Sequence, residues 1–219
     1  MSVDWKLLSA LTADEQRFVL SQTHRRRYRR GEVIFHEGDP GESLHLIAKG
    51  HVALRNSTPL GDIVTLAVAG PGDFFGELVI VSPRSGRNAT AVALDATETL
   101  TLHRDQLETL RREHASIDRL LLDVLATQVR RMSLLLSDAL YLPVEKRVLK
   151  RLLEVAATYG DAAPATVIPL TQEDLAGLAG TTRPSANKVL RSAQEAGLIS
   201  MSRGQVRILD MDGLTRRAR

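Results

Sequence analysis

The stretch LTQEDLAGLAGTTRPSANKVLRSAQEAGLI, Leu170 to Ile199, carries two helix starts in quick succession. Thr171 stands as an N-cap with Asp174 three residues on, the spacing at which side chain and backbone can bond reciprocally. Gly180 breaks that short helix. Thr182 offers a second N-cap, and Pro184 sits in the first turn behind it, where a missing N–H costs nothing. In the second helix Ala186, Val189, Leu190 and Ala193 recur at i, i+3, i+4 and i+7, an apolar stripe for burial. Arg183, Asn187, Lys188 and Arg191 fall on the opposite, outward face. Two helices about a tight glycine turn, the second basic outside, make a helix-turn-helix. LISMSRGQVRIL (198–209) follows as two short strands about Ser202-Arg203-Gly204-Gln205, the wing of a winged helix. Ahead of it, VEKRVLKRLLEVAATYG (144–160) is amphipathic, with Gly160 as C-cap.

Working outward, residues 105–142 contain neither Gly nor Pro. Leu121, Leu125, Gln128, Met132, Leu135, Ala139 and Leu142 alternate in steps of four and three, a heptad-like seam. Ile117, Leu120 and Val124 form a separate apolar stripe, which leaves the seam for a twin helix and predicts a homodimer. Pro143 forbids smooth continuation, and 140–144 is read as a hinge. Between Gly31 and His103 the pattern is different. EVIFHEGDPGESLHLIAKGHVAL (32–54) sets apolar runs around Gly-Asp-Pro-Gly, and GDIVTLAVAGPGDFFGEL (61–78) continues with Gly-Pro-Gly-Asp. Short strands at glycine-rich turns predict a β-sandwich or jelly-roll barrel. TADEQRF opens on Thr12 with Glu15 at the capping-box position, a short helix before the barrel. The fold class is therefore α+β. An N-terminal β jelly-roll over 1–115 is followed by a long dimerisation helix over 116–142 and a winged helix-turn-helix over 143–219.

Global properties remove several classes of function. Apolar residues make up 43% of the 219 and charged residues 25%, an ordinary globular profile. Cysteine is absent, which excludes disulfides, iron–sulfur clusters and thiolate metal sites. No apolar run approaches a membrane span, and MSVDWKLLSALTADEQ is no signal peptide, so a cytoplasmic protein is expected. The six histidines show no HxH or HExxH spacing, and no catalytic triad or acidic pair emerges. Neither a metal site nor a catalytic residue is assigned. Of the formal charge of +3, residues 143–219 carry +4, from twelve Lys and Arg against eight Asp and Glu. A basic C-terminal third points toward nucleic acid. An outward helix face of Arg183, Asn187, Lys188 and Arg191 suits phosphates and base edges; a protein-docking module would show apolar residues there instead.

One segment of the β-rich part raises the question of a ligand. In FGELVIVSPRSGRNATAVA (75–93), Glu77 and Arg87 bracket a loop in the least polar part of the domain. A surface ion pair is one explanation. A ligand carrying both an anionic group and a hydroxyl is the other.

The ordered set GDPGESLHLIAKGHVAL, GPGDFFGELVIV, the long helix and LTQEDLAGLAGTTRPSANKVLRSAQEAGLI resembles the CRP/FNR family of bacterial transcription regulators across nearly the whole chain. The resemblance implies a cyclic-nucleotide-binding barrel, a dimerisation helix and a DNA-binding winged helix-turn-helix. It also implies a phosphate-binding segment at Gly76, Glu77 and Leu78, with backbone N–H groups on phosphate and the Glu77 carboxylate on the ribose 2′-hydroxyl. Arg87 would pair with the cyclic phosphate, with Arg84 as its rival. Asn88 stands where cyclic-AMP sensors have Ser or Thr, and Met132 and Ser133 stand where they present a polar pair to the base. Cyclic AMP is the effector implied, with cyclic GMP, another small molecule or none as alternatives and no obligatory cofactor. On the DNA side the residues implied are Thr182, Arg183, Pro184, Ser185, Asn187, Lys188, Arg191 and the wing's Arg203. Arg183 and Lys188 fall nearest base edges. Pro184 replaces the family's usual Glu, so a cytosine contact should be absent. The implied partners are a near-palindromic double-stranded operator, a second copy of the chain and RNA polymerase. Other readings are a sensor that acts by docking a protein partner, and a regulator that binds DNA without a cyclic nucleotide.

Overall fold

A computed structural model describes residues 3–9, 11–58, 63–78, 86–114, 116–160 and 166–219. Its described residues form two compact units, 1–54 with 69–132, and 55–68 with 133–219.

The first unit begins with a 3₁₀ turn (Lys6–Leu8) and helix α1 (Ala13–Ser21). Thr12 caps α1 by the expected box: its hydroxyl accepts from Glu15 N, and Glu15 accepts from Thr12 N at 2.8 Å. Eight strands follow along the chain, with residues 55–68 of β4 and β5 counted in the second unit: β1 (His24–Tyr28), β2 (Val33–Phe35), β3 (Ser43–Lys49), β4 (Val52–Ser57), β5 (Ile63–Ala69), β6 (Phe74–Phe75), β7 (Thr90–Ala93) and β8 (Thr97–His103). They make two four-stranded sheets in the orders β1-β8-β3-β6 and β2-β7-β4-β5. The sandwich expected from the turn spacing is present.

Strand β3 shows how the core is divided. Leu44 and Leu46 join a cluster with Leu7, Leu8, Val19, Leu102 and Leu110. Ile47, one step out of phase, joins Val52, Phe75 and Ala91 inside the sandwich. Alternation sends successive side chains to opposite faces, and here both faces are buried. Helices α2 (Arg104–Glu113) and α3 (Ser116–Tyr141) complete the first cluster, to which α3 gives Ile117, Leu120 and Val124. That is the stripe expected to pack on the barrel.

The exposed apolar row on the other side of α3 is offset from the seam expected for pairing. Leu121 packs against the core cluster, and Gln128 donates to Glu77 Oε1 at 3.3 Å. The exposed row instead includes Leu122, Val129, Met132, Leu136 and Leu140, each 60–66% exposed. Leu125, Met132 and Ala139 keep the expected register. The other heptad positions move one residue on, to Leu122, Val129 and Leu136.

In the second unit, α3 ends at Tyr141, Pro143 precedes α4 (Val144–Thr158), and β9 (Val167–Ile168) leads to α5 (Gln172–Leu178) and α6 (Arg183–Glu195). Strands β10 (Ile199–Ser202) and β11 (Gln205–Ile208) form the wing hairpin, joined by β9 in the order β10-β11-β9. A last helix, α7 (Met211–Ala218), starts at Asp210, whose carboxylate caps Gly213 N at 2.9 Å. The stripe of α6 buries Ala186, Leu190 and Ala193 completely.

Arg147 ties this unit together. Its guanidinium donates to the Ala139 and Leu142 carbonyls at the end of α3, and to Ala179 and Gly180 in the turn between α5 and α6. One cation thus satisfies carbonyls that two helix ends leave open. Beside it Asp138 accepts from Lys150 at 2.7 Å and Arg151 at 2.5 Å.

Candidate functional site

In the barrel, Gly76 and Arg87 are in direct contact. Gly76 lies at φ +81°, and a Cβ there would sit 2.5 Å from Arg87 Nη1. Only glycine tolerates both the left-handed backbone and that approach. Arg87 is 6% exposed. Its Nη1 donates to the Ser43 carbonyl at 2.8 Å and the Gly76 carbonyl at 3.2 Å, and its Nη2 donates to Ser43 Oγ at 3.0 Å. The guanidinium lies 4.0 Å above the Phe35 ring, a cation–π contact. Its main chain is pinned by the Gly-Asp-Pro-Gly turn, through Arg87 N to Asp39 O and Gly38 N to Arg87 O. Among the described residues its Nε, also buried, has no hydrogen-bond partner.

Glu77 is 8% exposed. Burial pushes its carboxyl above the usual carboxylate range; a hydrogen bond from Gln128 and the charges of Arg131 and Arg87 oppose that rise. Among the described residues no ion pair joins Glu77 to Arg87. They share an electrostatic environment, each biasing the other's charge state, but their polar atoms are not spent on each other. A surface ion pair does not describe them. Leu78 follows at the start of a helical turn, and Asn88 is exposed beside Arg87. Arg84, the rival arginine, lies outside the described residues. Met132 and Ser133 are both exposed on α3.

Sequence reasoning missed Ser43, Phe35, His45 and Gln128. The first three stand 42 to 52 positions before Arg87 and reach it only through strand pairing. Gln128 was legible in principle, as the one amide in an otherwise apolar seam.

On the helix-turn-helix, Thr171 and Asp174 form the expected box, with Thr171 N to Asp174 Oδ2 at 2.9 Å and Asp174 N to Thr171 Oγ1 at 3.1 Å. Asp174 also accepts from Thr65 Oγ1 at 2.7 Å and Arg55 Nη2 at 3.0 Å, both in the β4–β5 hairpin of the same unit. Burial alone would raise this carboxyl, but the Thr65 and Thr171 bonds and the Arg55 charge outweigh it and hold it below the ordinary range. Thr182 caps α6, accepting from Ser185 N at 3.4 Å; its hydroxyl is also 3.0 Å from Ser185 Oγ. Ser185 is therefore committed to the cap.

Arg183, Pro184, Lys188 and Arg191 are exposed on one side of α6, and Arg203 is exposed at the tip of the wing. Asn187 departs from expectation. It is half-buried, and its Oδ1 is enclosed without a hydrogen-bond partner among the described residues. Its position, one turn after Arg183 and between the basic face and the apolar stripe, turns its amide oxygen partly inward.

Comparison with known proteins agrees with this geometry. Residues 25–114 match the cyclic nucleotide-binding domain model, and residues 146–217 match the Crp-like helix-turn-helix domain model. The chain is 35% identical to the CRP-like cAMP-activated global transcriptional regulator of Mycobacterium tuberculosis, over 87% of this chain and 86% of that one. It is 32% identical to the cyclic AMP receptor protein of Thermus thermophilus, over 92% and 91% respectively. The crystal structure of the catabolite activator protein of Thermus thermophilus covers 97% of both chains with a TM-score of 0.57 at 32% identity. FixK2 of Bradyrhizobium japonicum, at 20% identity, shares the fold with a TM-score of 0.75 over 89% of this chain and 96% of that one. With a cyclic nucleotide-binding barrel, a long helix and a Crp-like helix-turn-helix in that order, the chain belongs to the CRP/FNR family of transcription regulators, a family of DNA-binding proteins rather than enzymes.

Proposed function

We propose that this regulator binds a cyclic nucleotide in its barrel, cyclic AMP first, and works as a homodimer on a near-palindromic operator. The observation that carries the effector is Arg87: a buried guanidinium with its other nitrogens bonded inside the protein and Nε without a partner among the described residues. A buried donor left unpaired costs about 1–3 kcal/mol, and an anion supplies the missing acceptor. In this reading Arg87 takes the cyclic phosphate, with the backbone at Gly76, Glu77 and Leu78 and the side chain of Asn88 beside it. The Glu77 carboxylate accepts from the ribose 2′-hydroxyl. Met132 and Ser133 face the base from the dimer helix. The Mycobacterium tuberculosis and Thermus thermophilus relatives, described as cAMP-activated and as a cyclic AMP receptor, support cyclic AMP over other effectors.

The exposed Leu122, Val129, Met132 and Leu136 row, at heptad spacing, supports pairing of two α3 helices. Residues 1–115 then form the sensor, 116–142 the dimer helix and 143–219 the DNA-binding domain. In that domain Arg183 and Lys188 read base edges, while Thr182, Ser185, Asn187, Arg191 and Arg203 lie nearer phosphates. Pro184 leaves one base pair without the family's usual acceptor. RNA polymerase is the protein partner, and the cytoplasm, beside the chromosome, is the place of action. Calorimetric titration with cyclic AMP and cyclic GMP tests the effector. Cyclic AMP should bind, and Arg87→Ala should weaken it roughly ten- to hundred-fold, the worth of a charge-assisted contact. No binding by the unaltered chain would refute the effector.

A further inference from the structure

We propose that His45 is a positioning residue for the effector: through Ser43 it holds the Arg87 guanidinium in the orientation that leaves Nε for an anion. The inference rests on the reading of Arg87 as the anion-binding group. It starts from a buried histidine that neither the barrel core nor the proposed pocket otherwise requires. His45 is 5% exposed on β3. Its Nε2 lies 3.2 Å from Ser43 Oγ, and its Nδ1 lies 3.3 Å from Thr99 Oγ1 and 3.4 Å from Thr101 Oγ1. The ring is stacked on Phe75, centroids 4.9 Å apart and 10° from parallel. Phe75 is the cross-strand partner of His45 and immediately precedes Gly76. Phe35, 5.9 Å away, supports the same ring and also lies under Arg87.

The polarity of this chain of contacts follows from its charged end. A guanidinium has donors only, so Arg87 Nη2 must donate to Ser43 Oγ. That leaves the Ser43 hydroxyl hydrogen to be given onward, and the acceptor within reach is His45 Nε2. An unprotonated Nε2 facing a cation is also the electrostatically favoured choice. The remaining proton then belongs on Nδ1, which donates to Thr99 or Thr101. Burial, then the charges of Arg87, His103 and Arg26, keep the ring neutral by lowering its pKa to about 3. The network therefore has one sense, from Arg87 through Ser43 to His45 and the threonines of β8. Without His45, Ser43 can turn its hydroxyl elsewhere, and the fork of Arg87 loses the support that fixes its direction.

The test uses the full chain. Nitrogen-15 NMR of the His45 ring should show protonated Nδ1 and unprotonated Nε2 before any effector is added. The reverse tautomer would overturn the inference. In calorimetric titrations with cyclic AMP, His45→Leu should lower affinity about tenfold or more, the worth of the Arg87–Ser43 hydrogen bond that His45 sustains, a bond from a charged group. His45→Gln should restore most of it, because its amide can accept from Ser43 and donate to Thr99 or Thr101. Ser43→Ala should reproduce the loss, and the Ser43→Ala/His45→Leu double variant should add little to it. Unchanged affinity in His45→Leu, no rescue by His45→Gln, or full additivity would each overturn the inference. If the unaltered chain bound no cyclic nucleotide, the reading of the pocket itself would fall instead.

Discussion

Substituting Gly177 by Ala asks whether the β4–β5 hairpin sits on α5 in solution, and the answer comes as a sign. Gly177 is inside α5, where Ala is favoured over Gly by up to about 1 kcal/mol. Taken alone, the substitution stabilises. A Cβ at Gly177, however, would lie 2.7 Å from Thr65 N, 3.2 Å from Thr65 O and 3.3 Å from Val64 Cα. These are backbone atoms, which cannot swing aside as a flexible side chain would. The hairpin must lift, and with it the bonds from Thr65 Oγ1 at 2.7 Å and Arg55 Nη2 at 3.0 Å to Asp174. Asp174 is 8% exposed, so it would lose two donors in a setting where each is worth about 1.5–3 kcal/mol. With part of that recovered from water, the loss exceeds the helix gain and leaves about 1–3 kcal/mol of net destabilisation. Thermal unfolding of the full chain should show a midpoint lower by roughly 2–4 °C for each kcal/mol. A midpoint higher than that of the unaltered protein would refute the docking of the hairpin on α5.

Val129→Glu places a charge in the exposed heptad row, and light scattering at micromolar concentration should report half the mass of the unaltered protein; an unchanged mass would reject that row as the dimer seam. Glu77→Gln should raise the stability of the unliganded chain at neutral pH. The carboxyl of Glu77 is raised in the folded state, so the folded chain holds its proton more tightly and loses stability as pH rises from the ordinary carboxylate range through the raised value. The difference between the two proteins should therefore vanish in acid below that range, as denaturation at a series of pH values would show. Arg183→Ala should relax preference at one base pair by about 1–3 kcal/mol, whereas Arg203→Ala should weaken binding to all sequences and reduce the salt slope by about 1, both read by binding to DNA variants.

The parts of this protein set by local chemistry were legible before the structure. Thr12, Thr171 and Thr182 cap the helices they were expected to cap, because a capping residue acts within three positions of itself. Ala186, Leu190 and Ala193 are buried, as a 3.6-residue period requires. What was not legible depends on neighbours far along the chain. Leu121 and Leu122 are chemically identical, and which of them faces the barrel follows from how α3 packs against the leucines of α1, β3 and β8. His45 falls among Leu44, Leu46 and Ile47, so no alternation of polar and apolar residues marks the face it takes. Its pairing with Thr101 comes from strand register. Asn187 was assigned outward because it is polar, yet it lies at the boundary of the stripe and its oxygen is enclosed. The last helix, α7, has a cap at Asp210 and arginines in its final turn, signals of the usual kind beyond the wing.

The most direct test of an effector-controlled DNA-binding regulator is the affinity of the full chain for operator DNA, enriched from a random pool and measured with and without cyclic AMP. The enriched sequence should be a near-palindrome with half-site centres about one helical turn apart. Cyclic AMP should tighten binding by roughly 5- to 150-fold, the range of an ordinary coupling between two sites, and Arg87→Ala should abolish that response while keeping the weaker, effector-independent affinity. Equal affinity with and without cyclic AMP, or no enriched palindrome under either condition, would contradict the account.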